Sequence, residues 1–368
     1  MRETPSDLIL LFILRFERNF RCAVEDTTGN VMAQIVPGCS GYRYYRPPEG
    51  WKEKYVQKIQ AYSDEYPLLE LNSSFYKLPM KRTAQKWRKL VDEVNSDFRF
   101  VVKANQRITH EPSSPTYDKG GIEVEEGKVD NYGSFRPTEE VFDAWLETKA
   151  ICEELAADIC LLQTPSSFEP SDEHLSNLSN FLEGTDADFS LALETRGAEW
   201  TDDIISDLCD EYKLVNVVDP LKSETLKIDN VDLKYFRLHG LGSQKYRYKF
   251  TNDDLKRLYE KCEEYANQMV YVLFNNYEMH NDCRRFVQYL RENEFPEVSW
   301  GADAVMAEID VQYPITKDEI LSKCGDWWVW IKPDESIKVR EVFDTIEERD
   351  FASENELLAS LQSTFFDK

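Results

Sequence analysis

The sequence predicts an α/β fold: a (β/α)₈ TIM-type barrel followed by a small α+β C-terminal module. Three observations predict the barrel. Eight short β-rich runs recur along the middle of the chain. Polar stretches of helical length separate them, and that alternation implies parallel strands joined by right-handed crossovers. Most of the runs end in a polar residue, and the C-terminal mouth of a barrel is where active sites are built. A doubly wound open sheet competes, but it usually has fewer strands and a glycine-rich first turn, which is missing here.

The strand runs are Gln34–Cys39, Leu68–Asn72, Phe98–Lys103, Asp158–Gln163, Phe189–Glu194, Leu214–Val218, Lys234–His239 and Met269–Asn275. The helical segments between and after them are Lys52–Glu65, Lys81–Val94, Glu139–Leu155, Asp172–Leu182, Asp202–Tyr212, Asn252–Asn267 and Glu278–Glu294. Between the sixth and seventh strands only a short helix or turn fits, around Leu221–Leu226. Several helical segments follow Ser, Thr, Asp or Asn, whose side chains satisfy the free N–H groups of a first turn.

Side chains alternate faces along a strand with period two. Glu70 therefore shares a face with Asn72, Lys103 with Arg99 and Val101, Gln163 with Leu161, and Glu194 with Ala192. Tyr235, Arg237 and His239 align, as do Tyr271, Leu273 and Asn275. Polar residues do mark strand ends in general, but that explains one or two of these better than a whole rim.

The chain has 368 residues, with 44 Lys+Arg against 69 Asp+Glu and a formal net charge of −25. That length allows about two domains. The acidity disfavours a broad nucleic-acid-binding face, which needs clustered Lys and Arg; a local basic pocket remains compatible with it. Eight cysteines are scattered with no C-x-x-C pair, so neither a zinc ribbon nor a redox motif is predicted, and a reducing cytoplasmic setting fits. The apolar run Leu8–Leu14 is too short to span a bilayer and lacks a clear cleavage site after it. Residues 1–32 read as a poorly ordered leader, residues 33–300 as the barrel and residues 313–368 as the module.

Several motifs are recognisable in order. They are Gly38-Cys39-Ser40-Gly41-Tyr42, Glu70-Leu71-Asn72-Ser73-Ser74-Phe75-Tyr76 with Leu78-Pro79, Phe100-Val101-Val102-Lys103-Ala104 with Thr109-His110, Gln163-Thr164-Pro165-Ser166-Ser167-Phe168, Phe236-Arg237-Leu238-His239-Gly240 and Phe274-Asn275-Asn276. From about Val36 to Leu290 the chain resembles the YecE-like family, known as domain of unknown function 72. The resemblance implies a TIM-type barrel and says little about activity, because the family's chemistry is unsettled. The family's fifth-strand motif reads Glu-x-Arg-His, whereas this chain has Glu194-Thr195-Arg196-Gly197. A mechanism through that histidine does not carry over.

The candidate catalytic residues are Glu70, Lys103, Glu194 and His239. Inward carboxylates at a barrel mouth can serve as general acid or base. A paired-carboxylate glycosidase is disfavoured, since strands two and five are not neighbours. Structural pairing competes with catalysis, for instance Glu70 with Lys103, or Glu194 with Arg196 or Arg237. Lys103 can clamp an anion or, if desolvated, attack a carbonyl; the clamp is the stronger reading, because Glu70 nearby favours its charged form. Glu194, Asp219 and His239 lie at successive strand ends and can be read as a site for one divalent metal ion, although no tight ligand spacing supports it.

The loop Gly240–Lys249 is basic and aromatic within an acidic chain. Barrels often bind phosphate with the loops after strands seven and eight. Here Lys245 and Arg247 would supply charge, Tyr246 and Tyr248 stacking surfaces, and Asn275 and Asn276 hydrogen bonds, Asn276 alternatively capping the next helix. Tyr76, His110, Asn72, Gln163, Arg196 and Arg237 complete the candidate ligand-binding set. The long connection from Glu111 to Pro137 is of the kind that forms lids or stays disordered. In the C-terminal module, Thr316 reads as a helix cap, Trp327–Ile331 as a strand, and Val339–Glu347 and Ser353–Leu361 as helices.

Two functions follow as expectations. One is an enzyme acting on a small phosphate-bearing or otherwise anionic ligand, with hydrolysis assisted by a metal as a sub-case. The other is a binding protein without turnover, for single-stranded nucleic acid or a nucleotide. No membrane contact is expected, and protein partners are not legible.

Overall fold

The computed structural model describes residues 33–223, 231–242, 246–309, 311–347 and 349–366. The leader, Lys245 and part of the Leu221–Leu226 segment lie outside these residues. The chain forms two compact units. The first runs to Leu238 and takes in Arg257–Phe274; the second comprises His239–Lys256 and everything from Asn275 onward. The second unit is thus larger than the 313–368 module read from the sequence.

The first unit holds a closed barrel of eight parallel strands in sequence order: β1 Gln34–Cys39, β2 Leu68–Leu71, β3 Arg99–Lys103, β4 Ile159–Gln163, β5 Ser190–Glu194, β6 Val215–Val218, β7 Leu233–Leu238 and β8 Met269–Phe274. β8 closes on β1, with Gln34 opposite Met269 and Cys39 opposite Phe274. Closure leaves no open sheet edge. Gly38 is required where β1 meets β2, because a Cβ there would stand 2.1 Å from the Leu68 carbonyl oxygen.

Each strand buries one parity inside. Val36, Leu68, Val101, Ile159, Leu161, Ala192, Val215, Val217, Tyr235, Tyr271 and Leu273 form the inner apolar layers. The opposite parity packs outward on helices. In Glu139–Leu155 the buried positions Val141, Ala144, Trp145, Thr148, Ile151, Cys152 and Leu155 recur at three- and four-residue steps, so one stripe faces the barrel wall. Thr138, Ser171 and Thr201 cap their helices through side-chain oxygens, as their positions before helical segments predict. The segment read as one helix, Lys52–Glu65, is broken into Trp51–Lys54 and Lys58–Glu65.

The connection from Glu111 to Pro137 folds back on the exit of β3. Gly133 and Phe135 donate backbone bonds to Arg107 and Ile108. Phe135 is fully buried against Phe168 and Phe181, and Arg136 pairs with Glu111 at 2.7 Å. The segment therefore carries its own anchor.

In the second unit, Val305, Ile320, Val329, Val342, Phe343, Phe351 and Leu357 belong to one core cluster. Trp328–Lys332 and Glu335–Lys338 form an antiparallel hairpin, and Ile315–Thr316 pairs with Asp350–Phe351. Thr316 and Glu319 form a capping box at the start of helix Lys317–Cys324. The helix that follows β8, Met279–Glu292, groups with this unit. Every cysteine among the described residues is a free, buried thiol. Among the described residues no helix is long and apolar enough to cross a membrane.

Candidate functional site at the barrel mouth

Parity carries five polar side chains into the C-terminal end of the barrel: Glu70 from β2, Lys103 from β3, Gln163 from β4, Glu194 from β5 and Arg237 from β7. All are buried. Burying so many ionisable groups is costly unless each finds a partner.

Arg237 is the hub. Its Nε and one terminal nitrogen each donate to the Glu70 carboxylate at 2.8 Å, and its other terminal nitrogen donates to Glu194 Oε2 at 2.9 Å. Tyr235, two residues earlier on the same face, donates its hydroxyl to Glu70 Oε2 at 2.6 Å. Burial alone would push the Glu70 carboxyl up, but the Arg237 guanidinium and the Tyr235 hydroxyl hold it below the ordinary carboxylate value. Glu70 is therefore a fixed anion paired with Arg237, not with neighbouring Lys103. The guanidinium fork offers two parallel bonds, which a single ammonium cannot.

Lys103 makes no ion pair with the described residues. Its ammonium donates to Gln163 Oε1 at 2.9 Å and lies 4.1 Å from the centre of the Phe75 ring. Burial lowers its pKa, the Arg237 charge adds to this, and Glu70 and Glu194 only partly offset them, leaving it at about 7. Arg196 reaches the same Gln163 oxygen at 3.2 Å and Glu194 Oε1 at 3.4 Å, with its side chain partly open to solvent. Among the described residues three cations and two carboxylates thus meet at this end of the barrel, one positive charge in excess when Lys103 is protonated.

Phe75 is placed by its own turn. Asn72–Phe75 forms a short 3₁₀ helix after β2. Ser74 donates to the Lys103 carbonyl at 2.6 Å, and the Asn105 amide donates to the carbonyls of Ser74 and Phe75. Phe75 in turn packs edge-on against His110 and Tyr76, at 4.8 and 5.0 Å. His110 is bonded to the Thr109 hydroxyl through Nδ1, and burial together with the Lys103 and Arg196 charges pushes its pKa down to about 3. Its imidazole is neutral at physiological pH. Asn72 Oδ1 is a buried acceptor without a hydrogen-bond partner among the described residues.

Glu70, Lys103, Gln163, Glu194, Arg196 and Arg237 are linked through this network, with His110 and Tyr76 attached through Phe75. Asn72 opens the turn. The remaining predicted residues fall in the second unit, Lys245 lying outside the described residues. His239 and Tyr246 pack edge-on at 5.5 Å, and the Tyr246 amide donates to the His239 carbonyl. Arg247 lies 4.1 Å over the Trp328 ring, while the Trp330 indole donates to its carbonyl. Tyr248 is buried and donates to Asp254, which removes it as a stacking surface. Asn275 follows β8 directly. Asn276 donates to the Tyr248 carbonyl and to Asp282, fixing the loop instead of capping Met279–Glu292.

Among the described residues no group of three His, Cys, Asp or Glu side chains is arranged to hold a metal ion, so the divalent-ion reading finds no cluster there. Asp219 pairs with Lys222 at 3.7 Å. Gly197, where the related motif has histidine, sits at φ +124, a conformation L side chains rarely adopt. Tyr235 lies outside the sequence-predicted site set; the Tyr-x-Arg repeat on an inward face is the available signal for it.

Comparison with known proteins agrees with this architecture. A family model described as "Protein of unknown function DUF72" matches residues 36–300. The UPF0759 protein YunF of Bacillus subtilis (strain 168) is 27% identical over 263 residues, covering 62% of this chain and 83% of that protein. A DUF72 family protein from Thermotoga maritima MSB8 superposes with a TM-score of 0.50 at 22% identity, covering 70% of this chain and 99% of the other. One from Enterococcus faecalis V583 gives 0.51 at 21% identity, covering 71% and 98%.

Proposed function

The chain belongs to the DUF72 family, and we propose that its barrel mouth binds a small phosphate-bearing or otherwise anionic ligand, with Lys103 as the group that takes up and returns a proton. One observation carries this reading: Lys103 and Arg196 converge on Gln163 Oε1, while the two carboxylates nearby are already engaged by Arg237. An anion between the two cations satisfies the surplus charge. It also raises the Lys103 pKa, so binding draws in a proton.

An amine poised near neutrality suits proton transfer, because a useful fraction is free base at the working pH. Glu70 and Arg237 serve as the rigid floor. Glu194 has one oxygen on Arg237 and one facing Arg196, and is the carboxylate placed to meet a ligand. The free thiols fit a reducing, cytoplasmic compartment. The alternative, a pure binding protein using Tyr246 and Tyr248 as stacking surfaces, draws less support now that Tyr248 is committed to Asp254.

Sulfate tests the reading, since it does not titrate near neutrality. With a free-state pKa near 7, its affinity falls about tenfold between about pH 6 and pH 8. The Lys103→Met and Arg196→Ala variants bind it weakly at both pH values. Sulfate binding that ignores pH, or survives both substitutions, overturns the proposal.

A further inference from the structure

A second concavity of about 880 Å³ lies outside the mouth, between the segments that follow β1 and β2 and the short helix Thr116–Gly120. Its charged lining residues are Arg43, Lys77 and Lys119, with no carboxylate among the residues that line it. The chain as a whole has 69 acids and 44 bases, so this is a local reversal of its charge. The same walls carry Tyr44, Tyr76 and Trp87. Tyr44 is 73% exposed, with the Arg43 guanidinium 5.5 Å from its ring centre. Trp87 is braced edge-on by Tyr42 at 6.3 Å, and Tyr76 by Phe75.

The cleft is built, and not a chance gathering of surface lysines. Lys119 is brought against the Tyr76 turn because the next residue is glycine. A Cβ at Gly120 would stand 2.8 Å from the Tyr76 carbonyl oxygen and 2.4 Å from Gln106 Nε2. Any larger residue pushes the Lys119 wall away.

We propose that this cleft binds a nucleotide, with the base stacked on the exposed Tyr44 ring and the phosphate held among Arg43, Lys77 and Lys119. The volume is that of a small-molecule site. Flat aromatic faces beside cations suit a base joined to a phosphate. A sugar phosphate without a base would leave the exposed Tyr44 face unused, and the hydroxyls of Ser73 and Thr83 in the lining can serve the ribose of a nucleotide. The site shares its Tyr76 wall with the mouth network but none of the groups that hold the mouth anion, and does not rest on it.

The test titrates the full chain with adenosine 5′-monophosphate, adenosine, glucose 6-phosphate and inorganic phosphate, by calorimetry and tryptophan fluorescence. The nucleotide binds at least about tenfold more tightly than each of the others. Tyr44→Ala, at a position exposed enough to leave folding intact, weakens it at least about fivefold, as loss of a stacking surface should. Lys77→Ala with Lys119→Ala weakens it and flattens its salt dependence. Arg196→Ala at the mouth leaves it unchanged, which keeps this result distinct from the sulfate experiment. Equal binding of glucose 6-phosphate or inorganic phosphate overturns the proposal, and so does indifference to Tyr44→Ala.

Discussion

Arg237 of β7 and Glu70 of β2 face each other across the barrel interior through two hydrogen bonds of 2.8 Å, and both side chains are almost completely removed from solvent. This pairing decides what the neighbouring groups can do. It occupies the carboxylate that would otherwise pair with Lys103, and it places a fixed positive charge beside that lysine.

Breaking the pair exposes its energetic role. Glu70→Gln leaves a buried guanidinium short of one counter-charge, and the expected cost is about 3–5 kcal/mol in urea unfolding. Because the folded Glu70 pKa lies below its ordinary value of 4.5, the pair stabilises above that value and the stabilisation is lost as pH falls through the folded pKa. The variant should therefore show a shallower acid limb. An unchanged acid limb argues against an ionised Glu70.

Lys103 works in the opposite sense. Its folded pKa of about 7 lies below the ordinary 10.5, so between those values the unfolded chain holds more protons and stability rises with pH. Lys103→Met should stabilise the protein at pH 7, by an amount on the order of a few kcal/mol, and remove that rise. Chemical unfolding at pH 7 and 10 measures both.

His110 should stay neutral across the physiological range, given a pKa of about 3. Its ring-proton resonance is expected to lack the full shift of an imidazole titration between about pH 5 and pH 8, showing at most a small displacement as Lys103 loses its proton near pH 7. A full titration in that window would mean that burial, aided by the Lys103 and Arg196 charges, does not hold the imidazole neutral.

Phe135 should matter more than its place in a long loop suggests. Phe135→Ala removes a fully buried ring from between Phe168 and Phe181, at about 3–5 kcal/mol. Limited proteolysis should then cut within residues 111–137 faster than in the parent protein.

Gly120→Ala adds one methyl group where 2.4–2.8 Å is available. Nucleotide affinity should drop although no lining residue is altered, while sulfate binding at the mouth stays as it was.

Period-two alternation made much of the mouth legible. It gave Glu70, Lys103, Gln163, Glu194 and Arg237 inward parity, and the barrel follows from strand count and crossover chemistry. Pairing was less legible. Adjacent strands suggest a Glu70–Lys103 bridge, but a guanidinium is long enough to reach past neighbours and its two-pronged geometry outcompetes an ammonium. The partners of the β7 loop are hidden from the sequence for a related reason. Arg247 and Tyr248 look like ligand groups until their partners are known, and those partners, Trp328 and Asp254, are set by tertiary contacts that no local pattern announces. The same holds for Phe135, whose anchoring depends on two rings contributed by later elements.

Arg247 resting over Trp328 links the fate of two distant codons. A relative that ends with the barrel has no indole for this guanidinium to rest on, and selection there has no packing reason to retain arginine at the matching place. The two residues should be gained and lost together across the lineage, so the phylogenetic record can show whether the tail and the loop were acquired as one invention.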